Sequence, residues 1–138
     1  MNGITVKCYS RAKDGLTKIS DHFKVREFAC SDGSDAIFIA PALVDVLEKI
    51  RLHFNKPVHI NSAYRTHTKN KAVGGATYSQ HMYGTAADIV VGDKKTGIES
   101  PKTVSAYAET LLKNTGGIGI YSSFTHIDVR KVKSRWNG

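Results

Sequence analysis

The sequence is poor in cysteine, in long apolar runs and in acidic residues, and each shortage removes a class of protein. Two cysteines, Cys8 and Cys30, are too few for a disulfide framework, and their spacing fits no metal motif. Both are expected to be ordinary free or buried thiols. No apolar stretch approaches the roughly 20 residues that span a bilayer, so membrane insertion is not expected. Residues 1–20 are polar and lack the apolar h-region of a secretory signal. Synthesis in the cytoplasm is therefore expected, unless a leader has been removed. Acidic residues number 12 against 20 basic ones, a formal charge of +8. That excess favours polyanions without choosing among them. No helix-turn-helix, zinc-finger or RNA-binding signature accompanies it, so no nucleic-acid partner is expected. Internal repeats and linkers are absent, and 138 residues suit one core. Residues 1–138 are read as a single domain, expected to be monomeric.

The chain divides by periodicity. Residues 1–20 show little pattern and are expected to form an irregular, partly extended arm. Residues 22–28 alternate weakly and run into a polar turn, and Ile37, Phe38 and Ile39 form a short apolar run. From Pro41 the period lengthens: Leu43, Val46, Leu47, Ile50 and Phe54 fall on one helical face, with Pro41 suited to the first turn. Val58–Ser62 and Ala86–Val91 have the apolar character of strands, and the polar stretch 66–80 between them is expected to be a long loop. Ser100 and Pro101 open a second helix, with Val104, Tyr107, Ala108, Leu111 and Leu112 on its apolar face. Gly116 and Gly117 are expected to stop it. Residues 118–121 and 124–129 follow as strands around a Ser122-Ser123 turn, and a basic tail begins at Arg130. The fold class expected is α+β, two main helices packed on a small, mainly antiparallel sheet.

Six histidines invite a metal reading, but His22, His53, His59 and His67 have no partner at ligand spacing and are expected to serve packing or surface roles. His81 and Asp88 stand apart. Asp88 interrupts an apolar strand, where a lone carboxylate is costly without a partner. A metal ion is one such partner, and a salt bridge to Arg65 or Arg130 is the other. Gly84 allows a tight turn that lets His81 and Asp88 converge. Along the last strand Phe124, His126 and Asp128 share a face. Two imidazoles and one carboxylate are a donor set that zinc accepts, with a fourth position left for water.

The residues from Ser79 to Asp88, SQHMYGTAAD, resemble the S-x-H-x-x-G-x-A-x-D signature of zinc D-Ala-D-Ala peptidases. That superfamily also contains lysostaphin-like enzymes and the hedgehog signalling domain. Asn61-Ser62-Ala63-Tyr64-Arg65 resembles an upstream S-[GA]-Y-R segment, and Val73-Gly74-Gly75-Ala76 a lead-in to the main motif. Residues 117–121 and 124–130 resemble the G-x-G-x-Y and F-x-H-x-D-x-R closing segments. The likeness covers residues 23–136. It implies a hedgehog/D-Ala-D-Ala-peptidase-like fold and one catalytic zinc ion, held by His81, Asp88 and His126. It implies that Arg65 anchors a substrate carboxylate, and that Ser79 and Tyr64 contact substrate. The implied substrate is peptidoglycan peptide, reached at the cell wall after release or export, as by a phage lysin.

One position departs from the pattern. Many relatives carry an acidic general base three residues before the last histidine, where this chain has Ser123. Asp128 is the replacement expected to act as base; the alternative is that it only orients a ligand imidazole. The same departure leaves open a zinc-containing binding domain that turns nothing over.

Overall fold

The structure, a computed structural model, describes residues 3–138. Pro41 opens the first long helix, α2 (Pro41–Phe54), without a side-chain cap on Ala40; Asn55 closes it in the left-handed conformation. Leu43, Val44, Leu47 and Ile50 are buried along it, while Val46 and Phe54 pack at the edge of the same core. The second long helix, α4 (Pro101–Leu112), starts at Ser100, whose hydroxyl accepts from the Thr103 amide at 3.1 Å. Lys113, at φ 55°, ends it earlier than Gly116 and Gly117. Both helices lean on a five-stranded sheet of order β5 (Val58–Ser62), β6 (Ala86–Val91), β8 (Thr125–Asp128), β7 (Gly117–Ile120) and β9 (Ser134–Asn137). Every pairing is antiparallel except β7 with β9, which is parallel. Among the described residues no helix is long and apolar enough to cross a membrane.

Three segments differ from expectation. The expected irregular arm contains β1 (Lys7–Ser10), a four-residue helix α1 (Arg11–Asp14) and β2 (Lys18–Ser20). β1 pairs antiparallel with β4 (Ala36–Ile39), and β2 with β3 (Phe23–Lys24). Neither pairing leaves a strong period because β1 and β2 have no fully buried residue. Met1 and Asn2 of that arm lie outside the described residues. The expected loop 66–80 holds a helix, α3 (His67–Ala72), capped by the Thr66 hydroxyl on the Lys69 amide. Its buried residue is Asn70, so no apolar face advertises it. The basic tail folds back as β9, with Arg135 donating to the Lys113 and Thr115 carbonyls beyond α4 and to the Gly116 carbonyl, which also accepts from the Ser134 amide.

The core gathers Phe23, Phe28, Ile37 and Ile39 from the first third of the chain around α2, then Ile89, Val91 and Ile127 from the sheet. Cys8 is exposed and Cys30 buried, and neither is paired. His22 meets Glu48 at 2.9 Å, and His53 stacks on Tyr107 at 3.6 Å between ring centroids. These histidines fasten packed elements.

Candidate metal centre and substrate cleft

The centre forms where the two middle strands face each other. Asp88 of β6 and His126 of β8 are direct register partners, so their side chains leave the sheet side by side. His81 arrives from a single 3₁₀ turn, Gln80–Tyr83, which Gly84 closes at φ 74°. A Cβ at Gly84 would come within 2.4 Å of the Phe38 carbonyl oxygen, so the turn needs glycine for space as well as for conformation. One donor atom from each of His81, Asp88 and His126 lies within 4.8 Å of the others, and all three residues are buried.

Each imidazole has one nitrogen committed elsewhere. His81 Nδ1 sits 2.7 Å from the Ala63 carbonyl oxygen, to which it can only donate, leaving Nε2 toward Asp88 at 3.3 Å. His126 Nε2 lies 2.8 Å from Asp128 Oδ2, leaving Nδ1 beside Asp88 Oδ1 at 3.0 Å. The remaining nitrogens converge on the Asp88 carboxylate. Outer partners of this kind fix the tautomer and raise ligand basicity. Two soft-to-borderline nitrogens, one carboxylate oxygen and second partners already in place are the chemistry of a zinc site.

Asp128 is not in the cleft. Its side chain is fully buried behind His126, and Arg130 holds both its oxygens, Nε to Oδ1 at 2.8 Å and Nη2 to Oδ2 at 2.6 Å. The residue expected to act as general base is thus hydrogen-bonded through its carboxylate to both His126 and Arg130. Arg130 is taken by Asp128, and the guanidinium that approaches Asp88 is that of Arg65, at 3.7 Å.

Burial alone would push the carboxyl groups of Asp88 and Asp128 up. Hydrogen bonds from His126 and His81 outweigh it at Asp88, and those from His126 and Arg130 outweigh it at Asp128, so both sit well below the usual carboxylate range. Burial would push His126 down, but its bonds to Asp128 and Asp88 raise it instead. The lowered carboxylates stabilise the fold above their unfolded value of about 3.9, an effect lost as pH falls through the folded values. The raised histidine stabilises it below about 6.5, an effect lost as pH rises through its folded value. The metal-free protein is therefore expected to be most stable between about pH 4 and 6.5, with zinc extending the plateau upward as protons stop competing for His126. Melting temperatures against pH, with chelator and with zinc, check this; a chelated protein that keeps gaining stability from pH 6.5 to 8 contradicts it.

An open cleft of about 570 Å³ leads to the cluster. Arg65 and Ser79 line it. Ser79 also caps the turn, its hydroxyl accepting from the His81 amide at 3.3 Å. Arg65 is held by Ser62 Oγ and Asn70 Oδ1, both at 3.3 Å, and Asn70 is held in turn by donation to the Ala76 carbonyl at 2.9 Å. Tyr64 does not join them. It packs on Phe38 with ring centroids 5.3 Å apart and lines a neighbouring hollow of about 220 Å³, whose lining it shares with Arg65. Ser123 is exposed on the turn before β8.

Sequence reasoning missed the far wall, built from Tyr121, Phe124, Arg130 and Trp136. The Trp136 ring packs 4.9 Å from that of His126. The signal was faint: Trp136 lies in a tail whose charge masked a four-residue strand.

A family model described as Peptidase M15 matches residues 20–128. The chain is also similar to the zinc D-Ala-D-Ala carboxypeptidase of Streptomyces albus G, 48% identical over 40 residues. That stretch is 29% of this chain and spans only 16% of the relative. With a match over most of its length, and a buried His-Asp-His cluster inside it, the chain belongs to the Peptidase M15 family.

Proposed function

We propose that the protein is a zinc-dependent peptidase that cuts stem or crosslink peptides of peptidoglycan, as a D-Ala-D-Ala carboxypeptidase or an endopeptidase of the phage-lysin kind. The observation that carries the reading is the convergence of His81 Nε2, His126 Nδ1 and the Asp88 carboxylate at the floor of an open cleft. Zinc bound by these three residues supplies a Lewis acid and a water acidified to a pKa of about 7. Arg65 takes a substrate carboxylate, its plane fixed by Ser62 and Asn70 so that little rotamer freedom is lost on binding. Ser79 offers its hydroxyl from the rim. Asp128 is a positioning residue: through Nε2 it keeps His126 in the tautomer that leaves Nδ1 free, and Arg130 keeps Asp128 charged. The basic surface favours an anionic wall.

A second reading, zinc held for recognition without turnover, is favoured by one fact. Among the described residues that line the cleft, Asp88 is the sole acidic side chain. Mass spectrometry of muropeptides and of an acyl-D-Ala-D-Ala peptide incubated with the zinc-loaded protein separates the two. Cleavage at one defined amide is expected. Intact peptides with one zinc bound would leave the binding domain.

A further inference from the structure

Resting on the peptidase reading, we infer that Tyr121 is a substrate-binding residue, its phenolic O–H donating to a main-chain carbonyl of the bound peptide, and that Trp136 positions it. The Trp136 indole donates through Nε1 to the Tyr121 oxygen at 2.9 Å. A phenol has one hydrogen to give. With its oxygen occupied as acceptor from the indole side, that hydrogen turns away from Trp136, and no acceptor among the described residues takes it. The Tyr121 side chain is partly buried and faces the cleft that contains His81 and His126.

The wall is stiff. The Tyr121 ring stacks on Phe124, centroids 4.4 Å apart and planes 11° apart. Trp136 is clamped between His126 at 4.9 Å and the Arg130 guanidinium, whose Cζ is 5.5 Å from the ring centroid. Gly119, its partner across the parallel β7–β9 pairing, makes the fit possible: a Cβ there would meet the indole at 2.5 Å. An oriented and unspent donor on a rigid wall, in the cleft that Arg65 also lines, suits an extended peptide, whose carbonyls have to be paired once water is expelled.

Tyr121→Phe keeps the stacking and removes only the hydroxyl. With the acyl-D-Ala-D-Ala peptide or the muropeptide that the wild type cuts, KM is expected to rise about three- to tenfold, with kcat within twofold and zinc content unchanged, as for one neutral hydrogen bond. Muropeptide binding by calorimetry should weaken by the same factor. Trp136→Phe should give a smaller loss, and the double variant should bind no worse than Tyr121→Phe alone, because the indole acts through the phenol. Additive losses, or unchanged binding with a lowered melting temperature in Tyr121→Phe, would overturn the inference and leave the pair as a pin for β9. A wild type that cuts nothing sinks the peptidase reading alone, since the calorimetric comparison still decides for or against Tyr121; a wild type that binds no muropeptide sinks both.

Discussion

Asp88→Ala should leave the protein folded but unable to hold zinc at one ion per chain, with turnover at background. Apparent binding energies of structural zinc are about 10–16 kcal/mol. Divided over three protein ligands, the loss of one is on the order of 4 kcal/mol, roughly a thousandfold in affinity. Asp88 has more to lose than an average ligand, because it is the group on which both free imidazole nitrogens converge. Its removal also leaves Arg65 with no carboxylate across the cleft to balance it. Elemental analysis after dialysis against a zinc buffer measures the loss. Retention of a full equivalent would show that the ion sits elsewhere. The isosteric Asp88→Asn separates charge from shape and is expected to fall between the two.

The second large effect is at Asp128, and there the positioning role and the base role give opposite results. Removing one partner of a buried ion pair costs about 3–5 kcal/mol, because the other is left charged and dry. Asp128→Ala strands Arg130 Nε and Nη2 as well as His126 Nε2, so a clear fall in melting temperature is expected. Asp128→Asn is the finer probe. An amide keeps one acceptor but turns a donor toward His126 or Arg130, and zinc affinity should fall about 10–100-fold as the imidazole loses its fixed tautomer. A general base would behave otherwise: zinc affinity would hold while kcat dropped about 10²–10⁴-fold. Zinc titration and steady-state kinetics on the same preparation decide the matter.

The cluster was half legible in the residues themselves, because its chemistry conflicts with its setting, and the choice of a metal over a salt bridge came from the resemblance to the zinc D-Ala-D-Ala peptidase motifs. A carboxylate inside Ala86–Val91 demands a partner, and the period of two along β8 puts His126 on a defined face. Both long helices were legible for the same kind of reason, since each repeats an apolar face and starts at a proline. What escaped were elements that carry no repeating buried apolar face. α3 is fastened by Asn70, β1 by an edge pairing with little burial, and β9 by Arg135 capping and one indole. The direction of Asp128 escaped for a different reason. Sharing a strand face with His126 was correctly read as closeness, but the side to which a carboxylate's oxygens are tied depends on Arg130 and on the packing behind the imidazole. A one-dimensional pattern carries neither.

The pairing of Asp88 opposite His126 also governs the order of events when the chain folds. The two ligands are 38 residues apart and become neighbours only when β6 and β8 have zipped in one register; a slip by one residue would send one of them to the other face. Such distant pairings form late, after the entropy of closing the intervening chain has been met. Zinc held by these three donors would therefore be expected to bind a nearly native chain and to act as a latch on the finished sheet, slowing its opening.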